Sequence, residues 1–135
     1  MVDMVRTIKV TAVLAALAGA APAGEVAIEE AKLGASAVRL YVHPFLAADE
    51  LATLRLVLTN EQALSLFVPN AKGFAALAAA PGEGVIREGK PVASAIALAE
   101  LPDAAAAAKA ATAACDAARK GGEACVVVLE VAPAN

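Results

Sequence analysis

The last thirty or so residues constrain the fold more than any other stretch. Pro102-Asp103 opens an alanine-rich run, Gly121-Gly122 interrupts it, and a β-branched run from Cys125 to Val131 follows. Asp103 has the side chain to accept hydrogen bonds from the free N–H groups of a first helical turn. Alanine gives up no side-chain entropy in a helix, so the run reads as helical. Lys109, Asp116 and Lys120 fall on one side of that helix, and Ala104, Ala107, Ala108, Ala111, Cys115 and Ala118 fall on the other. Arg119 and Lys120 are placed in its last turn, against the negative end of the dipole. Gly121-Gly122 supplies the positive φ angles that end it. The segment from Cys125 is short, rich in valine, and expected as a buried strand.

The chain has only two cysteines, Cys115 and Cys125, one on each side of this turn. A helix-to-strand return brings such positions within the Cα separation of about 5.5–6 Å that a disulfide needs. The alternative is two buried free thiols. The N-terminus bears on that choice. Arg6 and Lys9 precede a short apolar run, Val10 to Ala20, and Ala21-Pro22-Ala23 has the A-x-A form of a cleavage site. Residues 1–23 therefore read as a secretory signal peptide, and residues 24–135 as one domain. The run is too short for a bilayer span of about 20 residues. An uncleaved anchor or a buried first helix is the competing reading. Export places the chain in the periplasm or outside the cell, where an even cysteine count points to a bridge.

Charge excludes some partners. The formal net charge is −3 and no basic cluster occurs, which disfavours nucleic acid and anionic membrane surfaces. The apolar fraction of 60% is largely alanine, with three Phe, one Tyr and no Trp, so a thin core is expected, with Phe45, Phe67, Phe74 and the leucines as its bulk.

Between the termini, Gly24 to Gly34 has a weak helical period. Ala37 to His43 alternates as a half-buried strand ended by Pro44. Ala47 to Leu58 reads as a helix, with Asp49 and Glu50 in its first turn where they favour the dipole, and Thr59-Asn60-Glu61-Gln62 has the form of a capping box for a second one. Phe74–Ala80 and Val92–Ala99 are small-residue runs around a polar, glycine-rich loop, read as the arms of a β-hairpin, with helix as the alternative. The order is roughly β-α-α-β-β-α-β. The fold class expected is α+β: a small antiparallel sheet with helices packed on one face and one disulfide within the domain.

Several of these pieces occur together elsewhere. Phe74-Ala75-Ala76-Leu77-Ala78, Pro81-Gly82-Glu83-Gly84, Cys115-Asp116-Ala117-Ala118-Arg119 and Gly122-Glu123-Ala124-Cys125-Val126-Val127-Val128 form one pattern. With His43-Pro44-Phe45 and Thr59 to Leu64, it resembles a group of small exported bacterial proteins. The group is marked by a Cys-bearing, Ala-rich helix followed by a G-x-x-C-V-V-V strand. Some members carry a 5-aminolevulinate synthase label. A synthase of that kind needs a large pyridoxal-phosphate domain, a Schiff-base lysine and an acidic partner for the pyridine nitrogen. None of Lys32, Lys72, Lys90, Lys109 and Lys120 sits in such a motif. The resemblance implies a fold and a compartment, no cofactor and no catalytic residue.

Chemistry-bearing motifs are sparse. His43 is the sole histidine, and no G-x-S-x-G elbow surrounds Ser36, Ser65 or Ser94. One His and two separated Cys do not make a zinc site. Two candidate binding features stand out. Glu83, Arg87, Glu88 and Lys90 lie on the glycine-flanked hairpin loop, where a solvated tip is the alternative. Arg39, Tyr41 and His43 share one face of a strand and form a small polar patch. The function expected is a non-enzymatic binding or interaction module of the cell envelope, engaging a protein or small molecule. The alternative is a small enzyme.

Overall fold

The computed structural model describes residues 26–68 and 73–134. The proposed signal peptide lies outside them. Five strands form one antiparallel sheet: β1 (Ala27–Leu33), β2 (Ser36–Val42), β3 (Phe74–Ala79), β6 (Ile96–Leu101) and β7 (Val126–Pro133). Their spatial order is β1-β2-β7-β3-β6. A two-residue ribbon, β4 (Ile86–Arg87) with β5 (Lys90–Pro91), sits in the β3–β6 connection. The helices are α1 (Ala48–Thr59), α2 (Glu61–Phe67) and α3 (Ala104–Ala118).

The α+β class, the antiparallel sheet and the β3–β6 hairpin match expectation. The helices differ: they divide between the two faces of the sheet. Ala75, Leu77 and Ala79 of β3 pack with Leu54, Leu58 and Leu64 of α1 and α2. Ala76, Ala78 and Ala80 pack with Ala107, Ala111 and Cys115 of α3. Alternate residues of a strand point to opposite faces, so β3 is covered on both. The residues of β3 beyond Phe74 are buried, and five of the six residues from Ala75 to Ala80 are alanines. A small side chain is what lets α3 approach the sheet closely.

Gly24–Gly34 was expected to lean helical, yet residues 27–33 form the edge strand β1. All seven residues pair with β2. The tight turn between them uses Gly34 at φ +57°. Pairing to a buried neighbour overrides the helix preference of Ala, Glu and Lys.

Local ends also shift. Asn60, rather than Thr59, caps α2, its side chain accepting from the Ala63 N–H at 3.0 Å. The α3 N-cap is Asp103, as expected, accepting from Ala106 at 2.7 Å. α3 stops at Ala118, before the glycines, because Arg119 is already extended. Arg119 and Lys120 therefore lie past the last turn. Gly122 takes φ +81° in the loop beyond.

Cys115 and Cys125 form the disulfide, with Cα atoms 6.1 Å apart. Asp116 reinforces the same turn. Its Oδ1 accepts from the Cys125 N–H at 2.9 Å and from Arg119 Nε at 2.7 Å. The core bulk is aliphatic: Val38, Leu40, Val128, Leu129 and Val131 are each at most 2% exposed. The three phenylalanines lie at the margin, partly exposed, where they had been expected at the centre.

Candidate functional site

α3 lies over β3, β6 and part of β7. On the same side of the sheet, no described helix covers β1 and β2. That open half presents Ile28, Glu30 and Lys32 from β1, Ala37, Arg39 and Tyr41 from β2, and Glu130 and Ala132 from β7. Register places Glu30, Arg39 and Glu130 side by side across three strands. Arg39 Nε donates to Glu30 at 3.0 Å, and its guanidinium lies 3.8 Å from Glu130. Tyr41 donates its hydroxyl to the same Glu130 carboxylate at 2.8 Å. Burial, with Glu130 alongside, holds the Tyr41 phenol above its ordinary range. Tyr41 thus stays a neutral donor at physiological pH.

The step from the flank of α3 down to this open sheet forms a groove of about 430 Å³. Phe74, Ala104 and Ala132 give it apolar walls, and Lys32, Arg39 and Glu130 give it charged ones. Its size falls within the range of small-molecule sites, about 300–1,000 Å³. The charges are of both signs. Lys32 makes no ion pair among the described residues.

Two of the three residues expected as a polar patch, Arg39 and Tyr41, thus join through Glu130. His43 continues the row, stacked between Tyr41 and Phe45 at ring-centroid distances of 6.3 and 5.3 Å. Its Nε2 lies 2.8 Å from the Val127 carbonyl oxygen, a contact in which the ring nitrogen donates. That proton is committed to the backbone, and His43 does not line the groove. Among the described residues no carboxylate or hydroxyl bonds its ring to form a nucleophile and base pair. Among the described residues no three His, Cys, Asp or Glu side chains gather as a metal site would require. Glu130 was not singled out in the sequence. Its signal was faint: one acidic residue in an otherwise apolar strand.

The hairpin loop is built differently. Glu83 accepts from the Ser94 hydroxyl and from the Lys120 N–H, the latter at 2.7 Å. Arg87 donates to Glu50 at 2.8 Å. These two loop charges tie the loop to its own chain, while Glu88 and Lys90 stand exposed at the ribbon tip. A smaller hollow of about 250 Å³ lies beside them, lined by Glu83, Arg87, Ser94 and Lys120 among others.

Glu50, which the sequence placed only as a dipole partner in the first turn of α1, is the most informative residue missed as a site. Its side chain is 0% exposed. One oxygen accepts from the Ala47 N–H at 2.8 Å, and the other from Val85, Ile86 and Arg87 at 2.8–2.9 Å. Burial opposes its ionisation, but three backbone N–H groups and the Arg87 charge outweigh it and hold the carboxyl below the usual glutamate value. With every contact made to its own chain, Glu50 fastens the loop to the start of α1.

Comparison with protein-family models, with curated proteins and with solved structures finds no match.

Proposed function

We propose that the chain is a non-catalytic binding or interaction module of the cell envelope, engaging its partner across the open half of the sheet. The observation that carries this is the groove beside α3. It offers apolar walls and charges of both signs, and among the described residues no histidine, serine or cysteine lines it. The leader-like N-terminus, the resemblance to small exported proteins and the disulfide favour an oxidising compartment. The 5-aminolevulinate synthase label finds no support. Lys32, Lys90, Lys109 and Lys120 are exposed, and none is enclosed as a Schiff-base lysine would be.

Two experiments test the reading. Intact mass from the native host, with alkylation before and after reduction, should start at Gly24 and show no free thiol until reduction. A full-length mass with two alkylated thiols would remove the envelope assignment. Photo-crosslinking residues placed at Ala37 or Ala132, in cells, should give a discrete adduct. A residue at Ala113, on the outer side of α3, should not. No adduct from the open face, or an equal adduct from Ala113, would overturn the proposed surface.

A further inference from the structure

Among the described strands β1 is an edge, and its hydrogen-bonding pattern is fixed by its neighbours. Ala134 donates to the Ala35 carbonyl at 2.7 Å, so the odd-numbered residues of β2 bond toward β7. The even-numbered ones bond toward β1, engaging Leu33, Ala31 and Glu29. Ile28, Glu30 and Lys32 therefore direct their N–H and C=O groups outward. The same three side chains lie on the open face. This edge has no proline and no bulge. Charge on an edge strand ordinarily discourages pairing with other chains. Here, however, the two charges that share the outward backbone positions are of opposite sign and two residues apart.

That spacing is self-complementary. An antiparallel partner centred on Ala31 sets Glu30 of each copy opposite Lys32 of the other. Both residues carry the outward backbone groups, so each Glu30–Lys32 pair exchanges two backbone hydrogen bonds beneath its ion pair. A register centred on Glu30, on Lys32 or on Glu29 stacks like charges. We propose that β1 is a self-recognition edge that pairs two copies of this chain, antiparallel about Ala31. The twofold axis runs perpendicular to the sheet, so both open halves face the same way. They join into one floor from β7 to β7 of the second copy, about 24 Å wide at about 4.8 Å per strand, with an α3 on each side. A monomeric protein would leave the single-copy groove intact, so this inference and the proposed docking surface fail separately.

The test is sedimentation velocity on the chain as recovered from its host, from about 10 μM to 1 mM, a range suited to a small edge contact. A concentration-dependent dimer is expected. Lys32→Glu, at an exposed position, should weaken it about tenfold or more by turning both cross-strand pairs repulsive. The double change Glu30→Lys with Lys32→Glu should recover most of it, because the pattern between copies is inverted, less what the lost Glu30–Arg39 ion pair within each copy contributes. Ala31→Cys should form a covalent dimer under mild oxidation, since facing non-hydrogen-bonded positions lie about 4.5 Å apart. Ala97→Cys, on the opposite edge strand β6, should not. A monomer over the whole range, a dimer indifferent to Lys32→Glu, or equal cross-linking from Ala97 would overturn the proposal.

Discussion

The two faces of the sheet are closed by different means. Beneath α1 and α2, leucine and valine fill the space: Val38, Leu40, Leu54, Leu58, Leu129 and Val131 form one apolar cluster. Beneath α3 the contact is nearly all alanine, with the Cys115–Cys125 bridge at one end. The first face gains stability from buried area. The second gains less per residue, because alanine buries little, and adds a covalent link that limits the unfolded chain. The comparison teaches that small residues bring a helix close to a sheet but leave its retention to something else. The second face is also the one left half open.

The largest expected effect lies on the first face. Glu50→Ala leaves the amides of Ala47, Val85 and Ile86 without their acceptor, a loss of about 3–4 kcal/mol to which the half-exposed Arg87 adds little. Chemical denaturation of the variant measures it. The pH dependence gives a second reading. The folded state holds Glu50 below its unfolded value, so its contribution is present above about pH 4.3 and is lost as pH falls through the folded value. Glu50→Gln should flatten the acid limb of stability against pH below that point. It should not level it, since Glu29, Glu83 and Asp116 are also held below their ordinary values by hydrogen bonds to Arg55, Ser94 and the Cys125 N–H respectively.

Next, Leu129→Ala should cost about 3 kcal/mol through lost burial and a residual cavity, read from the same denaturation curves. On the second face, replacing both cysteines by alanine should cost about 2–3 kcal/mol, the chain-entropy value for a loop this short. If the two faces differ as described, reduction should destabilise the parent protein by a similar amount and leave the double variant unmoved. The smallest effect tests closeness. Ala111→Val, at a position 0% exposed against β3, should cost about 1–2 kcal/mol by overpacking. A neutral result would mean that α3 rides more loosely than its alanines imply.

These contrasts were unequally legible in the sequence. The disulfide, α3 with its Asp103 cap and the β3–β6 hairpin follow from local patterns: breakers, spacing and β-branching. The continuous burial of Ala75–Ala80 held a clue that went unread, since an apolar run without alternation marks a strand covered on both faces. β1 was hidden because neither of its faces is deeply buried, so no alternation separates its helix-favouring residues from a real helix. Arg39 and Tyr41 were visible as one face of a strand, but their meeting with Glu130 depends on a neighbour nearly ninety positions later. Glu50 was read as a dipole partner at the start of α1. No local rule reports that amides from residues 85 and 86 close over it.

Sheet order has one more consequence, for the timing of assembly. β7 is the last strand of the described chain, and it lies third among the five. Until it arrives, β1–β2 and β3–β6 are two separate hairpins with no shared ladder, and Cys115 has no partner. Pairings of such long sequence separation form late and slowly. A ribosome-bound chain that has not yet produced Val126 to Pro133 has nothing to lock. The sheet therefore stays in two pieces until Val126–Pro133 has been made.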